Sequence, residues 1–559
     1  LDKDYAMDWS YGGWESFTIM IPNLMGGSSS GGLSTDSKTY SFLKQNGFND
    51  NQAEQYVSQL PTYWGPQPMT SGPVYIGAIV VFLFIFGLFV IRGPSKWAIL
   101  IVTMLSIALA MGHNFISLSN FFLDHFPGYN KFRTVSMILY IAEVTMPLLA
   151  FMALKQVYDG FIDKKQFNFA FKWSLGIAGG ISLIFLLFGG AIFSFSGRVD
   201  NQLISSGWPV QMLQAFRDDR KALLRADALR SLIFIILSAG VLYAFFIKKI
   251  KPGYFIASLG VLILVDMWEV DKRYMNNNNF VEERKVENPF TPTSADLQIL
   301  KDKSLDYRVL NLTVSPFNDA STSYYHKSIG GYHGAKMRRY QEIIDFQLDK
   351  EIEYLISNLR TSTDFNQVQN VFANIPVFNM LNTKYFIVNP ESSPLINMHA
   401  LGNAWFVDSI QIAPNADAEI AALNNFNPAR KAVIDKRFKQ YLVGLSTSYD
   451  TTGTISLVNY KPNQLVYKSD AKSPKVAVFS EIYYPKGWIV TVDGKVQDHF
   501  RADYILRAMV VPAGSHEIIF TFKPKMYEVG KKIDFASSLL IILIFLGWIA
   551  FEIKKRIAE

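Results

Sequence analysis

LRSLIFIILSAGVLYAFFIKKIKPGYFIASLGVLILVDMW, residues 229 to 268, reads as two apolar runs joined by a short basic turn. Crossing about 30 Å of hydrocarbon takes roughly 20 helical residues, so Leu229 to Ile247 is long enough to span and Tyr254 to Trp268 falls short. Lys248, Lys249 and Lys251 between them mark the turn as cytoplasmic, because short loops rich in Lys and Arg are retained inside. Moving outward, comparable runs lie at Val74 to Ile91, Trp97 to Met111, Thr134 to Leu154, Trp173 to Phe193 and Phe535 to Phe551, making seven in all. The short second and sixth are candidates to dip into the bilayer rather than cross it.

Alternate loops carry the same charge bias. Arg92 and Lys96, then Lys155, Lys164, Lys165 and Lys172, and finally Lys554, Lys555 and Arg556 join the 248 to 251 turn on the inner side. Residues 1 to 73, 112 to 133, 196 to 228 and 269 to 530 are thereby expected outside. The chain opens on the polar run DKDYAMDWSYGGWES without a signal-peptide core, so upstream spans in odd number, or a cleaved leader, are expected.

Composition agrees with a membrane protein. Of 559 residues, 50% are hydrophobic and only 18% charged, against about 25% in a typical soluble domain. The net charge of +7 sits beside apolar runs rather than on a basic face with interleaved aromatics, so it speaks for topology and not for nucleic acid. The absence of cysteine excludes disulfides, thiolate metal sites and a cysteine nucleophile. The seven histidines show no zinc-ligand spacing, and no Walker loop, dinucleotide fingerprint, HExxH or GxSxG occurs. No cofactor is expected, with the question of a divalent metal left open.

The expected architecture is a polytopic α-helical membrane protein with a large extracytoplasmic α/β domain ending in a small β-sandwich. Its parts are an outer segment at 1–73, a membrane domain of about six spans at 74–271, a mixed α/β region at 272–455, the sandwich at 456–530, and a final span with basic tail at 531–559. Ile344, Leu348, Ile352, Leu355 and Leu359 recur at three or four residues and predict a helix with one buried face from Tyr340 to Leu359. Beyond it, alternating runs are punctuated by Asp493-Gly494 and Pro512-Ala513-Gly514, which is hairpin and turn chemistry.

Several polar residues stand where lipid or an exported substrate would meet them. In FPGYNKFRTVS, residues 126 to 136, Lys131 and Arg133 break the charge rule on the outer side. They read either as interfacial snorkelling or as an anion site for a lipid phosphate, completed by Tyr129 and Asn130. Glu143 shares a helical face with Ser136, Tyr140 and Pro147; at bilayer depth a carboxylate costs on the order of 2.5 to 3.5 kcal/mol, so this face is expected to look into a bundle or wet cavity. It is either an interhelical hydrogen bond or a polar substrate wall. Asp266 and Glu269 are either a helix end paired with Lys272 or Arg273, or a general base. His113 and Asn114 are equally ambiguous. Trp9, Trp14 and Glu15 suit either a sugar ring or an interfacial aromatic belt. Tyr332, His333, Lys336, Arg338 and Arg339 suit either a solvated helix start or an acceptor contact.

Taken together, WSYGGWESFTIMIPNLMGG, PVYIGAIVVFLF, FPGYNKFRTVS, GGYHGAKMRRYQ, MLNTKYFIV and YYPKGWIVTVDGK with PAGSHEIIFTF make the chain similar to the YfhO family of bacterial membrane proteins, related to GT-C glycosyltransferases. The resemblance implies a plasma-membrane enzyme that moves a sugar from a polyprenyl-phosphate carrier to an exported polymer or glycolipid. It places the donor phosphate at Lys131 and Arg133, and the acidic base in a first outer loop upstream of Leu1, so that this stretch alone is expected to be inactive. A glycolipid flippase coupled to protons through Glu143, and a non-catalytic scaffold for envelope assembly, are the rival readings.

Overall fold

The computed structural model describes residues 2–442, 445 and 452–558. They form two compact units, divided after Glu282.

The first unit is a helical bundle under a cap. Its bundle helices are α1 (Ala78–Val90), α2 (Ser95–Ala110), α3 (Ile116–His125), α4 (Tyr140–Tyr158), α5 (Lys164–Ile192), α6 (Val210–Phe246) and α7 (Pro252–Tyr274). With a final helix at Lys525–Ala558, five of the described helices are long and apolar enough to cross a bilayer, and six if α2 and α3 count as one bent span. The protein is a membrane protein.

Three of the apolar runs differ in the structure from their outline in sequence. The run from Val74 to Ile91 gives a helix of only 13 residues, about 20 Å long, because Ile76 and Gly77 are held extended by bonds to the Ile19 carbonyl. That helix is apolar all round and becomes the axis of the bundle, with ten of its 13 residues buried. The second run ends at Gly112, whose φ of 46° stops the helix and turns the chain by 117° into α3. A Cβ here would lie 2.0 Å from Ser10 Oγ, so only glycine fits. The sixth run, short by composition, is a full helix of 23 residues, since α7 continues through Asp266, Glu269 and Arg273.

Loops sort by charge. Gln166 at the start of α5 donates to the Val90 carbonyl at 3.1 Å and accepts from Arg92 at 3.3 Å. At the same level Tyr158 stacks on Phe245, and Phe245 on Phe255 at 4.1 Å. Thus the basic loops after α1, α4 and α6 gather at one end of the bundle.

The opposite end is capped by residues 2–76. α6 makes this possible, for its 37 residues reach about 55 Å and carry a polar half well past the apolar one. Met212 and Phe216 of that half pack against Leu43, Val57 and Leu60 of the cap.

The second unit joins a mixed α/β part to two antiparallel sheets. A parallel pair, Arg308–Asn311 with Thr383–Ile387, extends to Leu395–Ile396. Helical residues run from Arg338 to Leu359 with a π turn at Ile344–Leu348, and Ile344, Leu348 and Leu355 are buried along the stripe seen in sequence. Five strands between Gly453 and Phe522 form one sheet, and the other joins Lys475–Ile482, Phe500–Ala502 and Leu506–Val511 to Ala404–Phe406. Between them Leu465, Tyr467 and Phe520 meet Phe479 and Met509, Tyr467 standing edge-on to Phe479 at 4.9 Å. Asp493 and Gly494 take φ of 49° and 80°, the left-handed pair that a two-residue hairpin needs.

Candidate functional site

The cap is fixed to α6 through the buried stripe of that helix, on which Phe216, Arg220, Leu224, Asp227, Ser231 and Ile235 follow one another. Asp219, beside it, caps the helix Lys38–Gln45, accepting from Lys38 N at 2.7 Å and Thr39 N at 2.9 Å. Asp227 accepts from Asn23 N at 2.9 Å and from both arms of Arg273, and Ser231 donates to the Met20 carbonyl at 2.7 Å.

Arg220 is fully buried, and every arm of its guanidinium is used. It pairs with Asp200 at 2.7 Å and donates to the carbonyls of Pro61, Thr62, Tyr63 and Phe195, while its plane lies 4.2 Å from the Phe216 ring. Burial alone would raise the Asp200 carboxyl, but its bonds to Arg220 and Arg217 outweigh that and hold it below the ordinary carboxylate range. This knot draws the segment 195–200 against the segment 61–64. A Cβ on Gly197 would sit 2.8 Å from Trp64 Cα, so the approach requires glycine.

Between those two segments opens a cleft of about 410 Å³. Trp14, Trp64, Asn114 and Arg198 supply its chemistry, and Gly12, Gly13 and Gly65 keep its walls thin. Trp14 is 53% exposed and stands edge-on to Phe193 at 5.7 Å. Trp64 leans on Phe193 and Phe195, and its buried indole N–H has no partner among the described residues. Asn114 donates Nδ2 to the Tyr11 carbonyl at 2.8 Å and keeps Oδ1 as a further acceptor. Two indole faces, an amide and an exposed guanidinium suit a sugar ring bearing an anionic group.

Glu15 lies behind this cleft rather than in it. Only 2% exposed, it accepts from Tyr63 Oη at 2.7 Å, Gln67 Nε2 at 2.8 Å and Gly12 N at 3.0 Å. Burial raises its carboxyl above the usual range, and the Tyr63 hydroxyl beside it is pushed up as well. Its visible work is to tie Gly12 to Gln67; the residues lining the cleft include no carboxylate.

The chain just before this cleft leads to Lys131 and Arg133. Tyr5 and Trp9 bracket the Arg133 guanidinium at 5.5 and 5.7 Å from their ring centres, Tyr5 Oη also accepting from it, and Gly12 follows three residues after Trp9. Lys131 and Asn130 are exposed, while Tyr129 packs on Phe122 and Leu123. Around them Phe121, Phe126 and Phe132 are 58%, 58% and 75% exposed, an apolar rim with cations at its edge. The His113 ring is exposed nearby, with its backbone N–H bound by Ser10 Oγ at 2.9 Å.

The remaining sequence candidates fall elsewhere. Glu143 and Tyr140 are exposed on α4, to one side of the face that packs (Ala142, Met146, Leu149, Ala150, Ala153); the expectation of a carboxylate facing into the bundle is corrected on this point. Asp266 is buried and committed: Tyr75 Oη donates to it at 2.7 Å and Arg230 pairs with it at 3.0 Å. Glu269 pairs with Arg230 at 2.8 Å and reaches Arg273 at 3.7 Å, so the partner absent from the sequence reading is Arg230. In the second unit Tyr332 is exposed, His333 accepts from Ala335 N, and Arg338 pairs with Glu342 at 3.1 Å. Lys336 donates to Gln341, and Arg339 lies over the Tyr504 ring at 4.5 Å. Among the described residues no three His, Asp or Glu side chains converge as a metal site.

Trp64, Arg198 and Arg220 were not singled out by sequence reasoning. Arg220 had a signal, a charged residue set on the apolar stripe of its own helix; Trp64 and Arg198 had none, since they meet only through the fold. Residues 445–533, which hold most of the β-strands of the second unit and the start of the last helix, match the family model described as bacterial membrane protein YfhO. No curated protein and no solved structure matches the chain.

Proposed function

Starting from a membrane protein that carries the YfhO family match, we propose that it is a glycosyltransferase drawing its sugar from a polyprenyl-phosphate carrier. The observation that carries the reading is continuity: one short stretch of chain, Tyr5 to Trp14, runs from the cations beside an apolar rim to an aromatic cleft. Lipid tail, phosphate and sugar would be met in that order. The basic loops at the far end of the bundle support, by the charge rule, a cap on the exported side of the plasma membrane, where it would face an exported polymer or glycolipid acceptor.

In this reading the acceptor hydroxyl forms the new bond to the sugar's anomeric carbon, the bond from that carbon to the phosphate oxygen breaks, and the acceptor proton leaves to a base. Lys131 meets the charge that grows on the departing phosphate, where a fixed cation counts most. Arg133, stacked on Tyr5 and Trp9, positions that loop and adds to its field. Trp14 and Trp64 hold the ring, and Asn114 and Arg198 orient its polar edge. Glu15 keeps the cleft wall in place, and the base is not one of the cleft's own lining residues.

The test is sugar transfer in membranes supplied with a polyprenyl-phosphate sugar. Lys131→Ala is expected to lower turnover by about a hundredfold or more, the usual effect of removing one transition-state donor. Unchanged turnover removes the role, and movement of labelled carrier across vesicles without a new glycosidic bond would favour the flippase reading.

A further inference from the structure

The second unit has a polar cleft whose walls carry no Lys, Arg, Asp or Glu. It lies where the end of the helix Phe365–Ala373 and the start of Pro376–Met380 meet the turns near 399–401 and 424–429, and it encloses about 430 Å³. Asn374, Asn424, Asn427 and His399 form the polar wall, with Leu401 and Phe426 as an apolar floor.

Asn424 is bonded at both amide atoms, donating to the Ala421 carbonyl at 3.0 Å and accepting from Gln347 at 3.3 Å, whereas Asn374 and Asn427 are each held by one atom and open at the other. Asn374 donates Nδ2 to the Asn370 carbonyl at 2.8 Å, which leaves Oδ1 on the exposed rim. Asn427 accepts from Ala429 N at 3.2 Å through Oδ1, which leaves Nδ2 on the same rim. Beneath them Asn379 is buried and fully engaged, donating to the Phe372 carbonyl and accepting from Asn397 at 2.7 Å, so the cleft has a rigid base.

We propose that this cleft binds an uncharged saccharide. Neighbouring sugar hydroxyls each donate and accept, and an acceptor and a donor set side by side match them. The Leu401 and Phe426 floor suits the C–H face of a ring. A charged ligand would give up hydration here without gaining a counter-charge from the walls. The volume falls within the roughly 300 to 1,000 Å³ of small-ligand sites. Nothing in this depends on the transfer reading, because the first unit contributes no residue to it.

The experiment uses the full chain in lipid nanodiscs and saturation-transfer NMR with methyl β-glucoside, N-acetylglucosamine and, as charged control, glucuronate. In a Trp14→Ala background, which disables the first-unit cleft that suits an anionic sugar, both neutral sugars are expected to receive saturation and glucuronate not. The paired variant Asn374→Ala and Asn427→Ala, whose side chains are exposed and whose thermal unfolding is expected to be unchanged, should weaken binding by about tenfold or more. Equal binding in the pair, no signal from either neutral sugar, or a preference for glucuronate would each overturn the assignment. A signal that survives the pair but vanishes on Trp14→Ala belongs to the cleft of the first unit, and also overturns it.

Discussion

Replacing Arg220 by Met keeps an unbranched apolar stem and removes every hydrogen bond by which Arg220 draws the two walls of the first cleft together. Asp200, 1% exposed, would then be left with Arg217 at 2.9 Å as its remaining ionic partner. The carbonyls of Pro61, Thr62, Tyr63 and Phe195 would lose their donor. Breaking a buried ion pair on one side costs about 3 to 5 kcal/mol, and the surviving Arg217 contact puts this case near the lower end, about 3 kcal/mol. That is a large part of the roughly 5 to 15 kcal/mol that holds a domain together. Adding Asp200→Asn removes the stranded charge and should return about 1 to 2 kcal/mol, so the double variant is more stable than Arg220→Met alone. Equilibrium unfolding in mixed micelles, followed by tryptophan fluorescence, reads both numbers. A loss under about 1 kcal/mol in the single variant, or strict additivity in the double, would refute the idea that Arg220 closes the cleft.

Three more outcomes can be checked separately. Asp503 is fully buried, and burial pushes its carboxyl up to about 8, with the nearby Glu419 charge adding to it. Because the native state then binds the proton more tightly than the unfolded chain, stability is full below about pH 4 and falls as pH rises through about 8. Asp503→Asn keeps the bond from Val433 N and should abolish that slope in hydrogen-exchange protection of Val433. Gly112→Ala meets Ser10 Oγ and a left-handed backbone together and should cost about 1 to 3 kcal/mol by unfolding midpoint, whereas Gly13→Ala, with open space around its Cβ, should cost less than about 1 kcal/mol. Glu15→Gln keeps one acceptor oxygen, enough for Tyr63 and Gln67 but not for the Gly12 N–H, and should leave sugar transfer within about threefold of the parent, while Glu15→Ala, which orphans all three donors, should lower the unfolding midpoint further.

Much of the fold was legible because membrane length and turn chemistry are local properties. The α4, α5, α6 and last helices each take up most of an apolar run, and Asp493-Gly494 sits at a hairpin because its two left-handed residues are adjacent. The stripe from Ile344 to Leu359 likewise named its own buried face. Where the reading failed, the deciding partner was remote. Val74 to Gly77 is extended because Ile19 takes the Ile76 and Gly77 amides and Tyr11 Oη the Val74 amide, and Arg230 reaches Asp266 from another helix. Helical periodicity put Glu143 with Tyr140 correctly but could not say which side of α4 packs; the small residues Ala142, Ala150 and Ala153 decide it. The cleft itself joins residues 12–14, 64, 114 and 198, and no local pattern announces such a meeting.

A photoreactive polyprenyl-phosphate sugar carrying one crosslinker on its lipid and another on its sugar tests the account most directly. The lipid probe is predicted to label residues 126 to 132 and the sugar probe Trp14 or Trp64. Labelling confined to the basic loops at the other end of the bundle, or none at the cap, would contradict it.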